Sequence, residues 1–262
     1  MCIRDRFNNS DSHGNIVANT IRDSIPKGVD YEIIKIDLCN YRLHVNVTPH
    51  VTKMQVGDGQ YVDVKEEVRD GIIYINGQQA GIAISASGLT KALEAAKAQG
   101  ADVINMSNGV SDSMGNALRD EFARLRDAGI VVVVAAGNDG KYGASYPARY
   151  SEELDNVIGV GAPAQYSNYG PGVTLKANGN YKGYQGTSFS APRVTAAVAA
   201  LLSRGILPEN IRSEILALCN GNYLSDSVVA SLGRRGTPSY ITRQPPSSYS
   251  RKHTVGAGIG GF

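Results

Sequence analysis

Residues 130–136 read IVVVVAA, and this apolar run is the strongest single indicator of the fold. A strand that is apolar at nearly every position is typical of a parallel sheet that is covered by helices on both faces. Gly129 precedes the run and Gly137 follows it, so residues typical of turns mark both ends. The run therefore predicts a strand that is buried on both faces of a parallel sheet.

Helical and strand-like patterns alternate on either side of this run. Apolar spacing predicts helices over residues 13–25, 89–99, 118–128, 188–203 and 208–218. Short apolar runs predict strands over residues 29–38, 103–106 and 157–160. Alternation of this kind is typical of βαβ units, so the sequence predicts an α/β fold, a three-layer sandwich with a central, mostly parallel sheet.

Three stretches depart from the alternation. Residues 39–84 contain the turn pairs Asp70-Gly71 and Asn76-Gly77 between apolar runs, which predicts an insertion built from β-hairpins. Residues 224–262 are rich in Ser, Gly, Pro and Arg and are expected to form a loosely ordered tail. Residues 1–12 are polar and begin MCIRDR, which reads like translated linker sequence. The main domain is therefore expected to span residues 13–223.

Composition excludes two broad classes of function. The 262 residues contain 26 basic and 24 acidic side chains, so no basic excess points to a nucleic acid partner. No apolar run reaches the roughly 18 residues that a membrane span needs. Cys2, Cys39 and Cys219 are too far apart for a metal-binding pair, and Cys39 and Cys219 are interpreted as small apolar residues. We therefore expect neither a nucleic acid nor a membrane as a partner.

Three short segments carry the chemistry, and each is weak alone. Residues 12–18 read SHGNIVA, where a histidine before a helix is more often a capping or core residue. Residues 133–140 read VVAAGNDG, which suits a tight turn and lacks the GxGxxG spacing of a nucleotide-binding loop. Residues 186–192 read GTSFSAP at the start of an alanine-rich helix, where a serine is most often an N-cap.

Together, these segments resemble the subtilisin-like serine peptidase family. The segments HGNIVA, VAAGN and GTSFSAP occur in the family's order, and so do DVINMS at 102–107, NVIGVGA at 156–162 and YSNYGP at 166–171. The resemblance extends over roughly residues 13–218. It implies a serine endopeptidase that hydrolyses peptide bonds through an acyl-enzyme.

The resemblance assigns a role to each matching residue. Ser188 corresponds to the nucleophile, and His13 corresponds to the general base that activates it. Asn138 corresponds to the side-chain donor of the oxyanion hole, together with the backbone N–H of Ser188. Residues that resemble the substrate-binding edges are Ser107, Asn108, Gly109, Ala136, Gly137 and Asp139. The expected substrate is a polypeptide in an extended conformation, and the insertion at 39–84 is expected to border its cleft.

The chain departs from the family at the third member of the triad. The resemblance implies an aspartate on a strand ahead of the histidine, and no strand that ends in such an aspartate precedes His13. Asp5 and Asp11 are too close to His13 in sequence to serve. The peptidase domain is therefore expected to lack its first strand, to have a gap in its sheet, and to be an unstable and inactive fragment.

Other interpretations are weaker. A non-catalytic relative that only binds would have no use for His13, Asn138 and Ser188 together. An α/β-hydrolase esterase needs GxSxG, and position 190 is serine where that motif needs glycine. The resemblance would allow calcium, but no ligand loop can be matched, so no metal ligand and no cofactor is assigned. It also favours an extracellular location, and we expect a monomer.

Overall fold

The computed structural model describes residues 13–57, 60–233 and 253–258. The helices in these ranges are α1 His13–Ser24, α2 Ala86–Ala98, α3 Asp112–Asp127, α4 Thr187–Ser203, α5 Ile211–Ala217 and α6 Asp226–Ser231. The first strands are β1 Tyr31–Ile36, β2 Val47–Gly57, β3 Gln60–Arg69, β4 Ile72–Ile75, β5 Gln78–Ile82, β6 Ala101–Met106 and β7 Val131–Ala135. The remaining strands are β8 Val157–Gly161, β9 Leu175–Ala177, β10 Asn180–Tyr181, β11 Tyr184–Gln185, β12 Tyr223–Leu224 and β13 His253–Gly258.

A seven-stranded sheet is the centre of the fold. Its strands follow the order β1-β13-β6-β7-β8-β9-β12, and each adjacent pair runs parallel. Because all strands point the same way, their carboxyl ends form one rim, and loops that carry functional groups can meet there. The predicted α/β fold with a parallel sheet is confirmed.

β7 shows why the run IVVVVAA is apolar throughout. Val131 and Val133 belong to a core cluster with residues of α1, α4, α5 and α6. Val132 and Val134 belong to a second cluster with residues of α2 and α3. Successive side chains of a strand point to opposite faces, so a strand between two helical layers needs an apolar residue at every position.

Most predicted elements are present with small changes at their ends. The helix predicted at 188–203 begins one residue earlier, at Thr187, and the segment 208–218 divides into a 3-10 turn, Pro208–Asn210, followed by α5. The prediction that Cys39 is only a small apolar residue is wrong, because Cys39 is disulfide-bonded. Its side chain is nevertheless buried among apolar neighbours, which explains why it looked like a core residue.

The insertion forms a separate antiparallel sheet with the strand order β2-β3-β4-β5. Asp70 and Gly71 both have positive φ, and so do Asn76 and Gly77, as two-residue type I′ hairpin turns require. The predicted hairpins are therefore confirmed. Whether this sheet borders the substrate cleft stays a prediction.

The tail is more ordered than its composition suggests. Past residue 223 the chain forms α6, and Val229 and Leu232 are buried in the cluster around α4. The core continues to at least Leu232, past the residue 223 at which the sequence predicts the end of the domain. The predicted linker-like segment 1–12, and residues 234–252 and 259–262, lie outside the described residues.

The end of the tail also corrects the expected gap in the sheet. β13 pairs in parallel with β1 on one side and with β6 on the other. A sheet with an open space there would expose unpaired backbone groups, and β13 satisfies them. The described chain therefore has a continuous sheet.

Candidate active site

Ser188 lies at the amino end of α4, where the sequence allows a tight entry into the helix. Gly186 precedes the helix with φ of 151°, a conformation that residues with a Cβ rarely adopt. Ser188 follows in the first turn and is only 8% exposed. Its Oγ donates a long hydrogen bond of 3.4 Å to the carbonyl oxygen of Ser107, which follows β6.

His13 lies next to the same carbonyl group. The ring of His13 is hydrogen-bonded to the backbone of Ser107, and its centroid is 5.7 Å from that of Phe189, the neighbour of Ser188. Helices α1 and α4 pack against each other, which holds the two ends in place. The structure therefore brings His13 and Ser188 together at Ser107, although residues 13 and 188 are far apart in sequence.

Burial lowers the pKa of His13 to about 4, because the charged imidazolium loses its hydration in this site. The ring is therefore neutral at neutral pH, which is the form that a general base needs.

The same pKa predicts a loss of stability in acid. His13 takes up a proton near pH 6.5 when unfolded and only near pH 4 when folded, so unfolding is favoured as pH falls through this window. Between pH 6.5 and pH 4, the unfolding free energy of the parent should fall by about 3 kcal/mol more than that of His13→Gln. Urea unfolding across this pH range measures the difference. His50→Gln, at an exposed position, is the control; identical pH profiles for the parent and His13→Gln would contradict the assigned pKa.

A buried polar network fixes the position of Ser107. Its Oγ donates to the carbonyl of Ser188 at 2.9 Å and accepts from Asn105 Nδ2 at 3.1 Å. Asn105 Oδ1 in turn accepts from Thr195 Oγ1 on α4 at 3.0 Å. The network ties the end of β6 to the first three turns of α4, so it sets the distance between the segment that begins at Ser107 and Ser188.

Thr187 orients Asn138. The Asn138 Oδ1 accepts from the backbone N–H of Thr187 at 2.8 Å and from its Oγ1 at 2.9 Å. An amide whose oxygen is held in this way presents its Nδ2 donor group in a fixed direction. Thr187 Oγ1 also accepts from the N–H of Gly137 at 3.3 Å, which joins the two loops.

Asn168 organises the loop that follows β7. Its side chain is fully buried, and its Oδ1 accepts from the N–H groups of Asp139 and Lys141 at 3.0 and 3.3 Å. Its Nδ2 donates to the carbonyl of Ala136 at 3.1 Å and lies 3.2 Å from Asp139 Oδ2. One asparagine therefore shapes the stretch that contains Ala136, Gly137 and Asn138.

Asp139 forms an ion pair with Lys141 at the surface. The carboxylate lies 3.1 Å from Lys141 Nζ, and both side chains are 57% exposed. Burial works to raise the pKa of Asp139, but the hydrogen bonds from Asn168 and Lys141 outweigh it and leave the pKa below its ordinary value. Asp139 is therefore charged at neutral pH, and Lys141 already balances part of that charge.

Asn108 and Gly109 continue from Ser107 along the rim. Asn108 is 8% exposed, and among the described residues its Oδ1 has no hydrogen-bond partner. The next residue, Val110, donates its N–H to the carbonyl of Tyr146 at 2.9 Å, which fixes the far end of the segment. The segment 107–109 is thus held at both ends.

The site lacks a carboxylate partner for its histidine within the part of the chain that the structure describes. No Asp or Glu there forms a hydrogen bond or ion pair with His13. Asp5 and Asp11 lie outside that part. In the same residues no group of three or more His, Cys, Asp and Glu could hold a metal ion, and no helix is long and apolar enough to cross a membrane.

Four residues that support the site were not identified as functional from the sequence. Thr187 lies inside the GTSFSAP segment, and its position next to Ser188 could have identified it as a residue of the site. Asn168 and Asn105 lie in the segments YSNYGP and DVINMS, which were noted only as text similar to the family. Thr195, on α4, had no signal, because its partner is ninety residues away in the chain.

Comparison with known proteins identifies the family to which this chain is similar. The family model described as the subtilase family matches residues 4–217. Subtilisin DY of Bacillus licheniformis is 36% identical over 134 residues, which cover 45% of this chain and 48% of that protein. Halolysin of Haloferax mediterranei is 34% identical over 180 residues, which cover 62% of this chain and 33% of halolysin. The chain thus spans about half of the first relative's length and a third of the second's.

A solved structure is also similar, at a modest level. The self-cleaved protease domain of PatA aligns with a TM-score of 0.46 and 28% identity, and the alignment covers 57% of this chain and 68% of that one.

The match of the family model over most of the chain decides the assignment, since residues 4–217 include α1, the central strands and α4. The chain belongs to the subtilase family, the subtilisin-like serine peptidases.

Proposed function

We propose that this chain is the body of a serine endopeptidase that cleaves polypeptides through an acyl-enzyme, with Ser188 as nucleophile and His13 as general base. The observation that carries the proposal is the meeting of His13 and Ser188 at the Ser107 carbonyl, beside an Asn138 whose amide is held by Thr187. A purely structural serine would not need this surrounding set.

The proposed reaction begins with the transfer of a proton from Ser188 Oγ to the neutral imidazole of His13. A serine hydroxyl is a poor nucleophile until an adjacent base removes its proton. The Oγ then attacks the carbonyl carbon of the scissile bond, and His13 returns the proton to the leaving amine. Water attacks the resulting ester by the same route and releases Ser188.

Asn138 and the amino end of α4 would stabilise the negative charge on the substrate oxygen. The Nδ2 of Asn138 is the side-chain donor, and the N–H of Ser188 is the backbone donor. The positive end of the α4 dipole adds to this stabilisation. These donors are in place before the charge develops, so little reorganisation is needed during the reaction.

The substrate would lie extended between two edges of the rim. Ser107, Asn108 and Gly109 would pair with its backbone, and Ala136 and Gly137 would form the wall next to the residue before the cut. We also propose an extracellular location and a monomeric state.

A serine-directed fluorophosphonate probe tests the assignment of the nucleophile. We expect labelling of the parent chain at Ser188, located by mass spectrometry of tryptic peptides. Labelling should disappear in Ser188→Ala and persist in Ser203→Ala, a serine at the other end of α4 whose Oγ donates to the carbonyl of Ala200. Labelling at any other serine would contradict the proposal.

A non-catalytic binding protein is the second candidate, and one observation favours it. His13 has no carboxylate partner among the described residues, so the base is not oriented as in a complete triad. A chain that binds extended peptides but gives no labelling at Ser188 at any probe concentration would support this candidate.

Loss of the oxyanion donor should affect the chemical step. In hydrolysis of an activated peptide ester, Asn138→Ala is expected to lower kcat by about 10²–10³ and to leave KM nearly unchanged, because the contact strengthens only in the transition state. Thr187→Val removes the hydroxyl hydrogen bond to the Asn138 amide and keeps the backbone one, so we expect a smaller loss of about tenfold. Steady-state kinetics with the exposed Asn40→Ala as control measure both, and a raised KM with kcat intact would contradict the role of Asn138.

Asp139 should bias the cleft weakly towards a basic residue before the cut. Because Lys141 already pairs with Asp139, we expect Asp139→Asn to lower the ratio of kcat/KM for matched Lys and Glu substrates by at most about fivefold, or ~1 kcal/mol. Lys141→Gln removes the competing cation and should raise the same ratio. If neither variant changes the ratio, Asp139 does not face the substrate.

A further inference from the structure

A series of aromatic rings leads from His13 to the hairpin formed by β10 and β11. The ring centroid of Phe189 is 5.7 Å from that of His13, and the two planes meet at 58°. The ring of Tyr181 stacks on Phe189 at 6.3 Å and 23°, and the ring of Tyr184 lies 6.0 Å from it. Aromatic rings attract each other at centroid separations of about 4.5–7 Å. The imidazole is therefore one member of a group of contacting rings.

The hairpin end of this group is anchored to α1. The hydroxyl of Tyr181 donates to Asp23 Oδ2 at 2.6 Å, and Lys182 Nζ donates to the same oxygen at 3.0 Å. Asp23 is the last residue but one of α1, and His13 is the first. At 1.5 Å per residue, the two are about 15 Å apart. One helix thus carries His13 at its start and, near its end, the anchor of the rings that contact it.

The space between these two ends is filled by a small apolar cluster. Tyr181 and Phe189 form this cluster with Ile16 and Val17, which lie one turn after His13 on α1. Phe189 is only 3% exposed and Val17 is fully buried. Close-packed side chains of this kind transmit strain, so a shift of Tyr181 would move Phe189 as well.

The contact with Phe189 supplies what the hydrogen bond of His13 cannot. In the described part of the chain, the ring of His13 is hydrogen-bonded to the backbone of Ser107. One hydrogen bond fixes one atom of the ring and leaves the plane free to turn about that bond. Phe189 restricts this rotation, and it also covers part of the ring from water. Proton transfer needs a base at the right distance and in the right orientation, so this restriction bears directly on the rate.

We propose that Phe189 is a positioning residue for His13, and that Asp23, acting through Tyr181, keeps Phe189 in place. The proposal rests on the proposed function of His13 as general base. Phe189 and Asp23 contribute no group to the reaction itself, and both act through the orientation of the imidazole.

The first test removes the ring of Phe189. Phe189→Leu keeps an apolar side chain and should lower kcat for activated-ester hydrolysis by about tenfold with KM within about twofold, because the base is misaligned while substrate binding is unchanged. NMR titration should show the pKa of His13 rising from about 4 towards 6.5, because water reaches the ring. Arg22→Gln, an exposed change beside Asp23, is the control and should alter neither value.

The second test asks whether Asp23 acts through Phe189. Tyr181→Phe keeps the ring and loses the bond to Asp23, and Asp23→Ala loses the same bond, so each should lower kcat by about threefold and raise the pKa of His13. In a Phe189→Leu background, Asp23→Ala should have no further effect, because residues that act through one another are not additive. The same loss in both backgrounds would overturn the role of Asp23.

The two readouts separate the possible failures. If Phe189→Leu raises the pKa of His13 without lowering hydrolysis, the positioning contact is supported and the proposed peptidase function fails. If Phe189→Leu folds and changes neither, the inference is overturned. Tyr181→Phe preserves the packed shape and decides the matter if Phe189→Leu does not fold: an unchanged kcat and an unchanged pKa of His13 in this variant would also overturn the inference.

Discussion

Ser188→Ala is expected to lower the rate of activated-ester hydrolysis, and the size of the loss should report on the state of His13. In subtilisin, loss of the serine lowers kcat by about 2 × 10⁶ and loss of the aspartate alone by about 3 × 10⁴, and these effects are not additive. If no carboxylate orients His13 in this chain, Ser188→Ala should therefore lower the remaining rate by only about 10². A loss near 10⁶ would mean that His13 already has a carboxylate partner.

The measurement uses the activated ester, because its chemical step is fast enough to follow in a weak enzyme. Ser203→Ala serves again as the matched control on α4. If Ser188→Ala retained the full parent rate, Ser188 would not be the nucleophile, and the observed hydrolysis would come from another group.

The parent chain is expected to be folded and to cleave peptides poorly. We expect its kcat to be about 10⁴ lower than that of a subtilase with an oriented histidine, because no carboxylate among the described residues stabilises the charged form of His13. The low pKa of His13, which is caused mainly by burial, also predicts a low kcat. A base that binds a proton only near pH 4 is a weak base and removes the proton of a serine hydroxyl slowly. Stability should not be the limiting factor, because β13 completes the sheet.

Two measurements check this expectation. Urea unfolding should be cooperative, and hydrolysis of a fluorogenic peptide at pH 8 should be near background. Rapid cleavage that Ser188→Ala abolishes would show that a carboxylate serves His13 in this chain. A chain that aggregates would instead support the instability that the sequence alone suggested.

The fold could be predicted from sequence wherever structure depends on local patterns. Residues close together in the chain determine the conformation of several elements. These are the apolar run at β7, the alanine-rich helix α4 and the turns at Asp70-Gly71 and Asn76-Gly77. β13 is not among them: His-Thr-Val-Gly-Ala-Gly contains two glycines, which disfavour strands. It becomes a strand because β1 and β6 offer unpaired edges on both sides, and those edges are distant in sequence.

The residues of the candidate site also fall into those that local sequence patterns predict and those that depend on distant partners. Ser188, His13 and Asn138 were identified because each stands in a short segment similar to the family, and the structure brings them to one rim. Thr195 and Asn168 were missed because their contribution is a hydrogen bond to a partner on another element. A single buried asparagine or threonine gives no local pattern, so only the packed structure shows its role.

The position of β13 in the sheet also suggests that the order of the elements along the chain can be changed by circular permutation. β13 ends at the rim near which α1 begins, so a circularly permuted chain could run from β13 directly into α1, with its new termini between residues 234 and 252. In that order the closure of β13 against β1 would span roughly 24 residues where it now spans roughly 220, which lowers the loop-closure cost by about 2 kcal/mol. Shorter sequence separation between contacting strands also favours faster folding. The permuted order would make one of the longest-range pairings of the sheet a local one.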